Sequence, residues 1–209
     1  MDQAIWASWY DLDDADRAPF LDWLHTSYLP ALARSPAFIW VAQYAQINAP
    51  PQSVKADGTL SIGRTDEDVG IGHRFMTLIG AASPRAFLNP LFAEAEAGVI
   101  DGAAAFLVKR RGMRRNLFVE QQRVLGSAPG AAEHPPVLSA AIQFGSFRMR
   151  TPENEFELNA FYEQNRLPAM ARSTRCIRTR KLVSVAGWAK HGVIYEFDSI
   201  AGRNEVWAE

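Results

Sequence analysis

Leu29-Pro30-Ala31-Leu32-Ala33-Arg34-Ser35 returns later in the chain as Leu167-Pro168-Ala169-Met170-Ala171-Arg172-Ser173. The offset, from residue 29 to residue 167, is 138, and only Leu32/Met170 differs. Carried upstream in the same register, Phe20 meets Leu158, Trp23 meets Phe161 and Leu24 meets Tyr162. Each pair keeps a bulky apolar or aromatic side chain. Agreement of this length with the apolar spacing intact reads as a tandem duplication.

Around the repeat, each copy reads strand, helix, strand, strand. In the first, Ala4–Tyr10 is an apolar, aromatic-rich run. Asp13 or Asp14 caps a helix from about Asp16 to Ala33, whose stripe is Phe20, Trp23, Leu24, Ser27 and Ala31. Pro30 predicts a kink or an early end, and Pro168 repeats it. Strands follow at Ala37–Ile47, His73–Gly80 and Arg115–Leu125, with a helix from Ser83-Pro84 to Glu96. The second copy gives Val137–Phe147, a helix Glu153–Ala171, Cys176–Val185, Val193–Phe197 and a final helix near Ser199. A β-α-β-β-α-β order is the ferredoxin-like split motif. Phe38-Ile39-Trp40-Val41-Ala42 has no polar alternate, so both faces of the sheet must be covered. The expected fold class is α+β: two ferredoxin-like repeats whose antiparallel sheets pack face to face as an α+β barrel. Repeat one takes residues 1–125, with a long irregular loop at 48–72. The Gly- and Pro-rich stretch 126–136 is the linker, and repeat two takes 137–209. The second repeat is expected to stop inside a helix before an eighth strand, which leaves one sheet edge open, covered by another segment or paired with a second chain.

Composition narrows the function. The chain has 209 residues, 48% of them hydrophobic, and a formal net charge of −1. That length buries a core without disulfides or metals. A single cysteine, Cys176, rules out a disulfide framework or a cysteine-based zinc cluster. Near-neutral charge argues against a nucleic-acid binder. No apolar run reaches the roughly 18 residues of a membrane span, and the N-terminus is not a secretory signal. A cytoplasmic protein is expected.

The repeated segment, Phe20-Leu-Asp-Trp-Leu-His-Thr-Ser-Tyr-Leu-Pro30 and Leu158-Asn-Ala-Phe-Tyr-Glu-Gln-Asn-Arg-Leu-Pro168, resembles the helix of the dimeric α+β barrel superfamily, in particular its EthD-like members. The resemblance implies a pocket between sheet and helices. It also implies functions drawn from cofactor-free oxygenases, isomerases, lyases, haem proteins and proteins with no known activity. The family's helix histidine falls on Tyr28 in one copy and Arg166 in the other. Neither is a neutral base near pH 7 without a large pKa shift.

Two readings follow. In the first, an enzyme converts a small apolar or aromatic metabolite without a cofactor. Tyr28, His73 and His25 are its candidate catalytic groups, Arg166 its anion anchor, and Trp6, Trp9 and Trp40 its pocket walls. In the second, a non-catalytic binding or scaffold protein has kept the fold after losing the histidine. Each candidate also has a plain structural reading. His25 lies off the core stripe and His73 begins a strand beside a loop, so both can be surface residues. His134 in the linker and His191 in the turn Lys190-His191-Gly192 read as surface too. Arg178 and Arg180 share one strand face. Turned inward they would grip a carboxylate or phosphate; turned outward they are a solvated edge, the simpler reading. The run Lys109–Arg115 reads as a solvated loop, Gly70-Ile71-Gly72 lacks the rest of a dinucleotide fingerprint, and no histidine spacing suits a metal. Cys176 reads as a small buried residue. The duplicated copies can pair within one chain as a pseudo-dimer, and the open edge leaves room for a homodimer.

Overall fold

A computed structural model describes residues 2–47, 69–133, 137–149 and 151–208. The irregular segment expected at 48–72 therefore lies outside the described residues up to position 68, as does His134.

Seven strands form one antiparallel sheet. They are β1 (Ala4–Asp11), β2 (Trp40–Ala45), β3 (Phe75–Ala81), β4 (Arg111–Leu125), β5 (Ala141–Phe147), β6 (Cys176–Gly187) and β7 (His191–Phe197). Their spatial order is β2-β3-β1-β4-β6-β7-β5. This corrects the expectation of two sheets packed face to face. The first four strands and the last three are joined edge to edge, because β4 is long enough to serve both. Its first part pairs with β1, from Arg111 opposite Asp11 to Val119 opposite Ala4. Its second part pairs with β6, from Asn116 opposite Gly187 to Leu125 opposite Arg178.

Both sheet faces are covered because the sheet curls. Along β1, Ala4, Trp6 and Tyr10 enter the cluster under the helices. Ile5, Ala7 and Trp9 enter a second cluster inside the curl, with Leu78, Phe118, Leu182 and Ile194. The alternation of strand side chains thus feeds two apolar layers, which is why β1 shows no polar face. Trp40 closes one side of the inner layer. Its indole lies on Gly80, where a Cβ would stand 2.1 Å from the ring. Strand β2 is shorter than read from sequence and, at the sheet edge, only half-buried.

The two long helices lie outside the curl. The first begins as Asp14–Trp23, passes through a π turn at Leu24–Tyr28 and continues as Leu29–Ala33. The second begins as Pro152–Phe161, passes through a π turn at Tyr162–Arg166 and continues as Leu167–Arg172. The prolines neither end nor simply kink these helices. Immediately before each proline, a backbone N–H reaches five residues back, Leu29 to Leu24 and Leu167 to Tyr162. The widened turn lets the pyrrolidine ring pass the preceding carbonyl. Thr151 caps the second helix by accepting from Asn154 N at 3.2 Å, with Pro152 at the first position. The expected single helix from Ser83 to Glu96 is instead two short helices, Arg85–Leu88 and Phe92–Ala95, with a 3₁₀ turn at Glu96–Gly98. A last helix runs over Ile200–Ala208. Among the described residues no helix is long and apolar enough to cross a membrane.

Candidate functional site

The space between sheet and helix exists twice, and the two copies differ in what fills it. In the first half it is packed with rings. Phe20 is 0% exposed and Trp23 only 9%. Phe20 packs edge-on to Tyr10 at 5.7 Å and to Trp23 at 5.6 Å. The residual cavity, lined by Trp6, Tyr10, Tyr28, Thr77 and Glu96, measures about 10 Å³, room for about one water. Its polar groups satisfy one another. The Tyr28 hydroxyl donates to the Glu96 carbonyl at 3.1 Å, and burial raises its pKa well above the usual phenol range. The Glu96 carboxylate takes both terminal nitrogens of Arg110, at 2.8 and 3.1 Å, and a contact from Arg115. The basic run at 109–115 is therefore no freely solvated loop: Arg110 is buried against Glu96, and Lys109 holds Asp16 at 2.8 Å.

The sequence candidates disperse. Trp6 lies under the helices, stacked on Phe87 at 5.8 Å. Trp9 and Trp40 lie on the opposite face inside the curl, so the three do not wall one pocket. His25 is exposed, with Nε2 3.2 Å from Gln43 Oε1. His73 is exposed, with Nδ1 3.1 Å from the Ile71 carbonyl. Arg178 and Arg180 are buried, which corrects the solvated-edge reading. β6 is an interior strand, between β4 and β7, and these side chains turn into the curl. Arg178 meets Glu196 at 2.5 and 2.7 Å. Arg180, 0% exposed, meets Glu120 at 2.5 Å and Asp2 at 2.7 Å. Inward-facing arginines do grip carboxylates here, and the carboxylates are the chain's own.

In the second half the interlayer is mixed: Tyr162, Leu167 and Met170 of the helix pack on Cys176, Val193 and Phe197 of the sheet, and polar groups lie beside them. Positions 158 and 161 match Phe20 and Trp23 in the repeat, yet Leu158 is only half-buried and Phe161 is 51% exposed. Beside this apolar cluster the helix meets the sheet through a seam of polar pairs. His191 Nε2 lies 2.5 Å from Glu155 Oε2, and Lys190 Nζ lies 3.1 Å from the same oxygen. Lys181 donates to Asn159. Arg166 Nε donates to the Tyr195 hydroxyl at 3.3 Å, which donates to the Tyr162 hydroxyl at 3.4 Å. Residues 155, 159, 162 and 166 recur at helical spacing along the face turned to the sheet.

At the outer end of this seam the helix start stands off from the sheet, leaving an open cleft of about 640 Å³ lined by Glu155, Phe156, Asn159, Val183, Lys190 and His191 among others. His191 is buried, not a solvated turn residue. It opens β7 on the face of Val193, Tyr195 and Phe197, and stacks on Phe147 at 5.7 Å. With Nε2 turned to Glu155, Nδ1 is buried with no hydrogen-bond partner among the described residues. Burial pushes the Glu155 pKa up, but hydrogen bonds from His191 and Lys190 outweigh it and hold the carboxyl below its usual range. Burial lowers the pKa of Lys181, against the attraction of Glu163. The arrangement can accept a proton beside an aromatic wall. Among the described residues no group of three or more His, Cys, Asp or Glu could hold a metal ion.

No protein family and no curated protein matches the chain in sequence. In fold it is similar to an anthrone oxidase-like protein, with a TM-score of 0.64 at 11% identity, all of this chain covering 78% of that one. It is also similar to a candidate monooxygenase of Fusobacterium nucleatum, with a TM-score of 0.60 at 8% identity, all of this chain covering 82% of that one. A candidate monooxygenase of Lactobacillus acidophilus aligns over 98% of this chain and 81% of its own, at 6% identity and a TM-score of 0.50. At these identities the likeness is one of fold: an α+β architecture whose antiparallel sheet curls toward a barrel.

Proposed function

We propose that the protein binds a small aromatic molecule in the cleft of its second half and oxidises it in the manner of a cofactor-independent oxygenase. The observation that carries this reading is the His191–Glu155 pair in the wall of an open cleft of about 640 Å³. Glu155 orients the imidazole, and the His191–Glu155 pair takes a proton from an acidic C–H of a substrate lodged in the cleft. The carbanion then reacts with dioxygen. For an activated methylene the balance is R₂CH₂ + O₂ → R₂C=O + H₂O, with the substrate losing both hydrogens and one oxygen atom entering the carbonyl. The fold-level likeness to oxidase- and monooxygenase-named proteins supports the reaction class by analogy only.

The reading includes the origin of the two halves. Matching π turns at Leu24–Tyr28 and Tyr162–Arg166, each after the first strand of its half, support a duplicated ferredoxin-like unit of EthD-like ancestry. The first copy, packed shut by its own rings, then serves as scaffold and the second as the working site.

The test uses anthrone as a probe with an activated methylene, followed by oxygen uptake and by formation of the quinone. The wild-type protein is expected to accelerate uptake, and His191→Gln to lower the accelerated rate by about 10²-fold or more. Probe binding without any oxygen uptake would replace the enzyme by a carrier. Equal rates for wild type and His191→Gln would remove the proton-transfer role.

A further inference from the structure

Asn159 lines the cleft from the helix and Lys190 from the sheet, and both touch Glu155. Lys190 Nζ lies 3.1 Å from Glu155 Oε2, the oxygen that His191 Nε2 also meets. Asn159 Nδ2 donates to the Glu155 main-chain carbonyl at 2.6 Å, and Lys181 donates to Asn159 Oδ1. These two contacts settle which way the amide points. An ammonium only donates, so the atom facing Lys181 is the oxygen; a carbonyl only accepts, so the atom facing Glu155 is the nitrogen. One Nδ2 hydrogen is thus spent on the helix's own backbone, and the second has no acceptor among the described residues. Lys181 is buried and forms no ion pair among the described residues, so Asn159 is where its ammonium is spent. A cation donating to the amide oxygen polarises the amide and strengthens its N–H donors. Lys190 is exposed, and of its three ammonium hydrogens one serves Glu155.

Removing a proton from a C–H breaks that bond, sends the proton to the His191–Glu155 pair and leaves the electron pair on the substrate. Where the carbon adjoins a carbonyl, the pair moves onto the carbonyl oxygen and an enolate forms. Donors already held in place stabilise such an oxygen without reorganising as its charge develops. We propose that the free Asn159 N–H and the Lys190 ammonium form an oxyanion hole in the cleft, for an enolising aromatic ketone, and that Lys181 positions and polarises the Asn159 amide. The inference rests on the cleft being the binding site and adds the groups that stabilise charge there and the kind of substrate they suit. The charges of the wall agree with it. Arg148 and Lys190 line the cleft against Glu155 as its one carboxylate, with His191 beside them and Lys181 behind Asn159.

The experiment uses 4-nitrophenol, whose phenolate carries an enolate-like oxygen on a flat ring. Its two forms absorb at different wavelengths, so the ionisation of the bound probe is read by absorbance across pH, and its affinity by titration calorimetry, with no oxygen uptake involved. Wild type is expected to favour the bound phenolate over the bound phenol by about tenfold or more relative to free probe, a pKa lowered by about one unit. Asn159→Asp keeps the shape and gives Lys181 a carboxylate, but replaces the donor by a negative charge, and is expected to erase or reverse the preference. Lys190→Met is expected to lower it severalfold. Lys181→Met is expected to do the same in the wild type and to add less than about twofold to Asn159→Ala, because its effect passes through the amide. Lys181→Gln makes the same comparison should the apolar variant not fold. A bound probe that keeps its solution pKa, or a preference unchanged in Asn159→Asp or in Lys190→Met, overturns the oxyanion hole while leaving the cleft intact. A Lys181 effect that persists at full size in Asn159→Ala overturns the positioning role. Failure of the probe to bind at millimolar concentration in either form overturns the cleft reading and the hole with it.

Discussion

Arg180→Ala is expected to destabilise the protein by about 3–5 kcal/mol, read as a shift in the urea unfolding curve. The side chain is wholly buried and bridges Asp2 and Glu120, while Arg123 holds the same two carboxylates from the other side. Removing one member leaves charge buried without its partner, which costs more than the network contributes. Asp2→Asn added to the variant is expected to return part of the loss. The pH dependence follows from the sign of the Asp2 shift. Burial raises its pKa, but Arg180 and hydrogen bonds from Trp40, Arg180 and Arg123 outweigh it and bring the group below its ordinary value of 3.8. A depressed folded-state pKa contributes stability above the unfolded value and loses it as pH falls through the folded one. In Arg180→Ala burial acts with less opposition, so the gap between variant and wild type should narrow below pH 3.8. A gap that stays constant across that range would show that Arg180 contributes by packing alone.

Phe20→Ala is expected to cost about 3–5 kcal/mol, and Leu158→Ala, at the matching repeat position, about 1 kcal/mol. Phe20 fills a closed aromatic layer against Tyr10 and Trp23. Leu158 is half-buried at the margin of a smaller apolar cluster, where water and neighbouring side chains can take up the lost volume. Chemical denaturation of the two single variants measures the difference. Equal losses would contradict the description of one half as packed scaffold and the other as open cleft.

The repeat at residues 29–35 and 167–173 located both long helices, and the apolar runs located the strands to within a few residues. Local pattern could do this because helix and strand periodicities are local. What it could not supply was the neighbour of each strand. Arg178 and Arg180 read as a solvated edge only while β6 was imagined at a boundary. Once β4 lies beside it, the same face turns inward and needs Glu196, Glu120 and Asp2, which are distant in sequence. Glu96 was equally illegible as the partner of Arg110 and Arg115, for no periodicity links them. His191 was different. Starting the last strand two residues earlier places it, by simple alternation, on the face of Val193 and Tyr195. Parity would likewise have separated Trp6 from Trp9. The π turns left no mark beyond the prolines themselves.

The strand β4 has one further consequence. Because its 15 residues are hydrogen-bonded to β1 along one stretch and to β6 along the other, neither half owns a complete set of rungs. Separating the two halves after Leu125 would leave the last three strands without their inner neighbour and strip the far stretch of β4 of its partner. Such a molecule has no natural seam for melting piecemeal, and heat should take it apart in a single cooperative step.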